Sequence, residues 1–222
     1  MDLTLIIPAK EEEFSLPLVM KELETINIKK IVILSKNDHK THEAIKKFDA
    51  EVFYQTGKGY GNAIREGIEK VKSKYVCIFY ADGSTDPKYL IKMYEKIILK
   101  KQDLIFCSRY EEGGGSEDDN LITKIGNFFF SLFGNIFFSL NLSDILFTYI
   151  MGKKSAFDLM KLFSDDVGLC IEIPLKAKKL NLDYSTLPSF ERKRFGGKKK
   201  VNAFRDGFKL LVFLIKNLLI KN

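Results

Sequence analysis

The sequence predicts an α/β domain: a mostly parallel central sheet flanked by helices. Three observations carry that expectation. Short apolar runs alternate with helical patterns through the first half of the chain. The runs around Cys77 and Cys107 are apolar enough to read as strands buried on both faces, as parallel sheets require. The chain has 222 residues, 45% hydrophobic and 13% aromatic, which is enough to bury a large core and too apolar for a disordered segment.

In order, strands are expected over 3–7, 30–34, 51–54, 75–80 and 103–108, with helices over 12–25, 41–48, 60–71 and 87–100 between them. In the third helix Ala63, Ile64, Gly67, Ile68 and Val71 share one face, while Arg65, Glu66, Glu69, Lys70 and Lys72 point away. Residues 111–120 (EEGGGSEDDN) read as a mobile loop and a candidate lid. A Phe-rich helix follows, then a short strand near 148–152, helices over 155–163 and 169–180, and a strand over 183–187. A basic loop leads to an amphipathic helix from Asn202. The expected division is a main domain over 1–201 and a basic C-terminal helix over 202–222.

The net charge of +7 is local. Ten Lys and Arg stand against Glu191 and Asp206 between 190 and 222, and the remainder is close to neutral. That argues against a general nucleic-acid binder, so no nucleic-acid partner is expected. Cys77, Cys107 and Cys170 form no CxxC or Cys/His cluster, so structural zinc is not expected and reduced core cysteines are. The N-terminus lacks a basic segment followed by a long apolar one, which points to a reducing cytoplasm rather than secretion.

Neither apolar C-terminal region reads as a membrane span. Polar residues interrupt 125–150, and the run 210–215 is far short of the roughly 20 residues a span needs. Both are candidates for lying on a membrane surface. In the last helix Phe204, Phe208, Leu211, Val212, Ile215 and Leu219 form one face, with Arg205, Lys209 and Lys216 off it. That pattern fits a segment on anionic lipid and equally a core-packed helix with a basic rim.

Open α/β sheets bind ligands outside the carboxyl ends of their strands. That rule marks residues 8–12, the turn Tyr80-Ala81-Asp82-Gly83-Ser84, and Arg109. Asp82 could hold Mg²⁺ or Mn²⁺ against a diphosphate, or belong to an ordinary turn in which Ser84, Thr85 or Asp86 caps the next helix. The glycines at 57, 59 and 61 precede a helix but match neither common phosphate-binding fingerprint. Arg109 suits a phosphate or solvent, and Asp144 is a candidate acid or base. His39 and His42 read as surface residues. Arg192, Arg194, Gly197 and Lys200 make a denser signal for a diphosphate, with a solubilising charge run as the alternative.

These pieces occur in the order of a known family. The chain resembles the family 2 glycosyltransferases with the GT-A fold, and most closely the polyprenyl-phosphate (dolichyl-phosphate) sugar transferases. The resemblance is carried by LIIPAKEE (5–12), GKGYGNAIREGI (57–68), YVCIFYADGSTDP (75–87), DLIFCSRY (103–110), LSDILFTYIMGKKSAF (142–157) and RKRFGGKKKVNAFRDGF (192–208). It implies that Pro8, Lys10 and Glu12 contact the nucleotide, with Ser35 and Ala81 beside it. It implies that Asp82 binds metal, with Ser84 nearby, and that Arg109, Arg194 and Lys200 meet donor phosphates. Asp144 would lie near the acceptor.

The departures from that pattern are specific. Tyr80 stands where the family's D-x-D has its first carboxylate, Leu34-Ser35-Lys36 where an Asp pair reads the base, and Lys10 where Tyr is usual. The resemblance implies transfer of a sugar from a nucleotide diphospho-sugar to a lipid-linked acceptor, with inversion and with Mg²⁺ or Mn²⁺. It also implies a protein peripheral to the inner face of the membrane, on the lipid surface or on a small membrane partner. Two other readings stay open: a sugar-phosphate nucleotidyltransferase, and a degenerate, non-catalytic binding protein.

Overall fold

The computed structural model describes residues 1–196 and 202–221. The elements run β1 (Leu3–Ala9), α1 (Leu16–Leu23), β2 (Lys29–Leu34), α2 (His39–Ile45), β3 (Glu51–Tyr54), α3 (Tyr60–Lys70), β4 (Tyr75–Ile78), α4 (Lys88–Leu99) and β5 (Leu104–Ser108). They continue with β6 (Gly115–Ser116), α5 (Leu121–Phe138), β7 (Ile150–Lys153), α6 (Lys154–Met160), α7 (Leu169–Lys179), β8 (Tyr184–Pro188), β9 (Phe190–Glu191) and α8 (Ala203–Lys221). Seven strands form one sheet in the order β3-β2-β1-β4-β7-β5-β8, and β6 pairs with β9 in a second, two-stranded sheet. Only β7 runs against its neighbours β4 and β5; the remaining pairs in the large sheet are parallel.

The sheet separates two apolar layers. Leu3, Leu5 and Ile7 of β1 face α1, α2 and α4, while Ile6 faces α3 and the layer that also holds α6, α7 and the inner side of α8. This two-face alternation makes β1 apolar along nearly its whole length, as a central parallel strand must be. Gly67 allows α3 to lie close on the sheet, since a Cβ there would stand 2.5 Å from Ile6 Cγ2. Cys77, Cys107 and Cys170 are buried free thiols.

Two segments differ from the sequence expectation. The loop 111–120 is anchored in part, because β6 within it pairs with β9. The expected helix over 12–25 starts only at Leu16, because Glu11 takes a left-handed conformation (φ 52°) and residues 12–15 turn back before it. The Glu11 N–H donates to Asp38 Oδ2 at 2.7 Å, which holds the turn against the end of β2.

α5 and α8 pack side by side. Ser131, Gly134 and Phe138 turn α5 toward the body, and Leu210 and Leu214 do the same for α8. The opposite sides are apolar and exposed: Leu121, Ile125, Phe128, Leu132 and Ile136 on α5, and Phe204, Phe208, Leu211, Ile215 and Leu219 on α8. These residues recur at helical spacing, so each set is one continuous stripe. The α8 face singled out from the sequence therefore mostly points outward, and a different set packs inward. By length and composition alone α5 could cross a membrane, but one of its sides is committed to the protein.

A left-handed backbone costs a residue with a Cβ of order 1–2 kcal/mol, and Asn tolerates it better than Glu. Glu11 is exposed and its backbone N–H is the group that bonds. Glu11→Asn is expected to raise stability by about 1 kcal/mol in urea unfolding, and no gain would show that the turn is unstrained.

Candidate active site

The carboxyl ends of β1, β2, β4 and β5 lie along one edge of the sheet, and antiparallel β7 begins there. That topology brings residues from several separate segments to one edge of the sheet. Asp82 sits in the turn after β4. Its Oδ1 accepts from the Ser84 N–H at 3.0 Å and from the Ser84 hydroxyl at 2.8 Å, which leaves Oδ2 toward Arg194. Ser84 is itself buried, so it orients Asp82 rather than presenting an open oxygen. Asp86 takes the capping role, accepting the Lys88 N–H at 2.9 Å ahead of α4.

Residues 189–196 cross this turn as a strap. The Arg192 N–H donates to the Ser84 carbonyl at 2.8 Å and the Phe195 N–H to the Asp82 carbonyl at 2.9 Å. Gly83 (φ 86°) lies under the Phe195 ring, where a Cβ would come within 2.3 Å of ring carbon. Arg194 stands between two acids: its Nε is 3.6 Å from Asp82 Oδ2 and donates to Asp118 Oδ1 at 3.2 Å, and an Nη donates to Asp118 Oδ2 at 3.1 Å. Burial works against its charge, but Asp118, Asp82 and Glu191 outweigh that and raise its pKa. Arg192 instead forks onto Glu22 at 2.9 and 2.8 Å and reaches the Thr85 carbonyl, so it anchors the strap to α1. Lys200 lies outside the described residues.

Deeper in the same edge is Arg109. It forks onto Asp144 at 2.7 and 3.0 Å, donates to Glu191 at 3.1 Å and lies 3.6 Å from Asp119. Its guanidinium also stacks over Phe147, 4.6 Å from the ring centroid. Burial opposes the charge, yet Asp144 and Glu191 hold its pKa well above the usual arginine value. Burial pushes Glu191 up, against the pull of Arg109 and the Ser116 hydroxyl. The Asp144 side chain is fully buried, so its geometry is that of a partner to Arg109 rather than of an acid or base open to a substrate.

Tyr80 does not reach toward Asp82's cleft partners. Its hydroxyl is 2.9 Å from Thr148 Oγ1 and accepts the Thr148 N–H at 3.0 Å, and Tyr60 shares the same Oγ1 at 2.6 Å. Burial raises both phenols well above their ordinary range. On the β1 side Pro8 is half-buried and Lys10 exposed at the mouth. Glu12 is buried: its carboxylate accepts the Ser15 hydroxyl, and its N–H donates to Thr41 Oγ1 at 3.0 Å. Ser35, at the end of β2, bonds back to β1 through its N–H and the Ala9 carbonyl at 3.0 Å, and Ala81 is buried.

The glycines at 57–61 have a packing cause. A Cβ on Gly59 or Gly61 would meet the backbone of 164–166 at 2.1 and 2.4 Å. Just ahead of them, the Glu66 carboxylate accepts the N–H groups of Thr56 and Gly57 and the Thr56 hydroxyl.

The structure thus gathers Asp82, Ser84 and Arg194 in one place and Arg109 with Asp144 in an adjoining one, with Lys10 and Ser35 along the β1–β2 rim. Sequence reasoning missed Asp38, Asp118, Asp119 and Glu191. An Asp three residues before Thr41 at a helix start was the available signal for Asp38, and its side chain does accept the Thr41 N–H. The other three lie in segments read as a mobile loop and a charge run, where no pattern announces a partner. Among the described residues no group of three or more His, Cys, Asp or Glu could by itself hold a metal. The oxygen set at Asp82 fits Mg²⁺ or Mn²⁺ only with phosphate oxygens completing the shell, which is how Mg²⁺ commonly binds.

Comparison with known proteins bears on the family and the fold. The sequence model of "Glycosyl transferase family 2" matches residues 4–160. The low-salt glycan biosynthesis hexosyltransferase Agl6 of Haloferax volcanii is 24% identical over 188 residues, covering 84% of this chain and 45% of that protein. Glycosyltransferase AglJ of the same organism is 24% identical over 169 residues, 75% of this chain and 55% of its own length. The chain therefore spans about half of each curated relative. Among solved structures, glucosyl-3-phosphoglycerate synthase from Mycobacterium tuberculosis with Mn²⁺, UDP and phosphoglyceric acid superposes with a TM-score of 0.77 at 14% identity, over 97% of this chain and 78% of that one. Mannosyl-3-phosphoglycerate synthase from Rubrobacter xylanophilus gives 0.72 at 14%, over 99% and 74%. The fold is GT-A.

Two measurements probe the cleft's framework. Asp144→Ala removes the bidentate partner of a buried arginine and is expected to cost about 3 kcal/mol in urea unfolding; a loss under about 1 kcal/mol would mean Glu191 and Asp119 suffice. Hydrogen bonds from Thr56 and Gly57 outweigh the burial cost at Glu66 and hold its pKa below the ordinary 4.5. A depressed carboxylate stabilises the fold above its unfolded pKa and loses that contribution as pH falls through the folded one. Glu66→Gln should therefore melt lower than wild type at neutral pH, with the gap closing on acidification below 4.5; a pH-independent gap would refute the assignment.

Proposed function

This chain belongs to glycosyl transferase family 2, and from that premise we propose that it transfers a sugar from a nucleotide diphospho-sugar to a lipid-linked acceptor, polyprenyl phosphate in our reading, with inversion at the anomeric carbon. The carrying observation is the placement of Asp82 and Arg194 at the carboxyl edge of the sheet, a carboxylate suited to a cation and a guanidinium suited to phosphate, held 3.6 Å apart by the strap. The neighbour of the same fold that binds UDP supports a nucleotide donor.

In this reading Asp82 would hold Mg²⁺ or Mn²⁺, with phosphate oxygens of the donor completing the shell, and Ser84 keeps the carboxylate turned. The metal's contribution, when bound, is to neutralise the charge of the departing nucleoside diphosphate. Arg194 and Lys200 meet the phosphates, since a guanidinium binds them bidentately. Pro8, Lys10, Glu12, Ser35 and Ala81 form the nucleotide's side of the cleft. Lys10 and Ser35 stand in for the residues that usually read the base, so base preference is the property most open to change here. A phosphate monoester acceptor is already anionic and needs no strong general base. Arg109, expected to meet a donor phosphate, is instead committed to Asp144, Glu191 and Asp119, so in this reading it and Asp144 act by positioning the wall on the acceptor side.

The apolar stripes of α5 and α8 support the lipid acceptor. Exposed apolar residues on this scale are costly unless covered, and Arg205, Lys209 and Lys216 on α8 suit an anionic leaflet. We place the protein peripherally at the inner face of the membrane, on the lipid itself or on a small membrane partner.

Three outcomes are expected. In a thermal-shift panel of UDP-, GDP- and dTDP-sugars with Mn²⁺, one base class stabilises the protein by about 2–3 kcal/mol at a hundredfold excess over Kd. Asp82→Ala abolishes sugar transfer to polyprenyl phosphate while Arg194→Ala weakens donor binding; full activity in the Asp82 variant would sink the assignment. Wild type floats with anionic liposomes, and a variant with Phe128, Phe204 and Phe208 changed to Ser does not. Transfer to a soluble phosphorylated acceptor without vesicle binding would count against the lipid reading.

A further inference from the structure

We infer that Asp118, carried on the loop after β6, supplies the second carboxylate of the cation site at Asp82, in place of the one absent at Tyr80, and that Arg194 is the cation that holds the two acids together before metal and diphosphate arrive. This rests on the donor reading above. The Nε of Arg194 touches both carboxylates, 3.6 Å from Asp82 and 3.2 Å from Asp118, so a positive charge already stands between them. The oxygen of Asp82 turned toward that charge is the one that Ser84 leaves unused.

Asp118 is delivered by built structure. Its N–H and that of Asp119 both donate to Ser116 Oγ, at 3.1 and 3.0 Å. The Ser116 hydroxyl in turn donates to Glu191 at 2.6 Å, across the β6–β9 pair. The loop that brings the acid and the strap that brings Arg194 are therefore one unit. Tyr80 takes no part, because its hydroxyl is committed to Thr148. Two carboxylates plus phosphate oxygens match the way Mg²⁺ is usually held, through one or two acids and the substrate. A guanidinium released from both acids is suited to the phosphate oxygens beside it. Arg194 thus competes with the cation when metal is alone and assists when the diphosphate is present.

The test is calorimetric titration of the full chain with MnCl₂ alone and with MnCl₂ plus UDP, circular dichroism confirming that each variant is folded. Arg194→Gln should bind Mn²⁺ alone several-fold more tightly than wild type and bind UDP more weakly. Asp118→Asn should weaken Mn²⁺ in the presence of UDP by about tenfold, comparable to Asp82→Asn. Asp118→Asn within about twofold of wild type, while Asp82→Asn loses Mn²⁺, overturns the role of Asp118 and leaves the donor reading standing. Arg194→Gln with unchanged or weaker binding of Mn²⁺ alone overturns the competition. UDP binding that Mn²⁺ does not strengthen overturns the site as a whole. A wild-type protein that binds no nucleotide removes the donor reading itself.

Discussion

The cleft depends on one buried cation. Arg109 lies at the end of β5 and is met by Asp144 from the segment before β7, Glu191 from β9 and Asp119 from the loop after β6. A buried charge is tolerated only when paired and hydrogen-bonded, so this arginine obliges three distant segments to converge. Glu191 then places β9, β9 places the strap, and the strap places Arg194 and Phe195 against Asp82. The acids outnumber the arginine, and burial raises the Glu191 pKa against the pull of Arg109. The framework is dense in paired acids around a single buried arginine.

The chain's apolar residues serve two purposes that composition cannot separate. The two layers against the sheet account for the core. The outward stripes of α5 and α8 are surplus to it, since the inner sides of the same helices already supply Phe138, Leu210 and Leu214. A helix apolar on both sides is what a core helix and an interfacial helix share in sequence. The positive charge is divided in a similar way: Arg192 is spent on Glu22, Arg194 on two acids and Lys209 on Asp166, while Lys216 stands exposed on α8.

Much of this was legible in the residues. The apolar runs at β1, β2, β4 and β5 announce buried parallel strands because each must satisfy both layers at once. The rule that ligands sit beyond strand carboxyl ends then leads directly to Asp82 and Arg109. The antiparallel β7 was invisible as such, because direction leaves no mark on a four-residue strand. The loop 111–120 looked unstructured because Gly-rich acidic sequence has no core to bury, and its order comes from β9, some 75 residues away. The left-handed Glu11 was hidden for the same reason, since Glu has no preference for that conformation and a distant Asp38 imposes it.

By itself the sequence determined the sheet, its helices and the strand ends that share one edge, because periodicity and turn residues act over a few positions. The partners were decided only by tertiary structure. Asp144 looked like a free acid and is the fork of an arginine; Arg192 and Arg194, two residues apart, face different tasks; the face of α8 assigned to packing or membrane is mostly exposed. Each of those outcomes depends on which charge or apolar surface lies opposite, and that is set by contacts between segments tens of residues apart that no local pattern encodes.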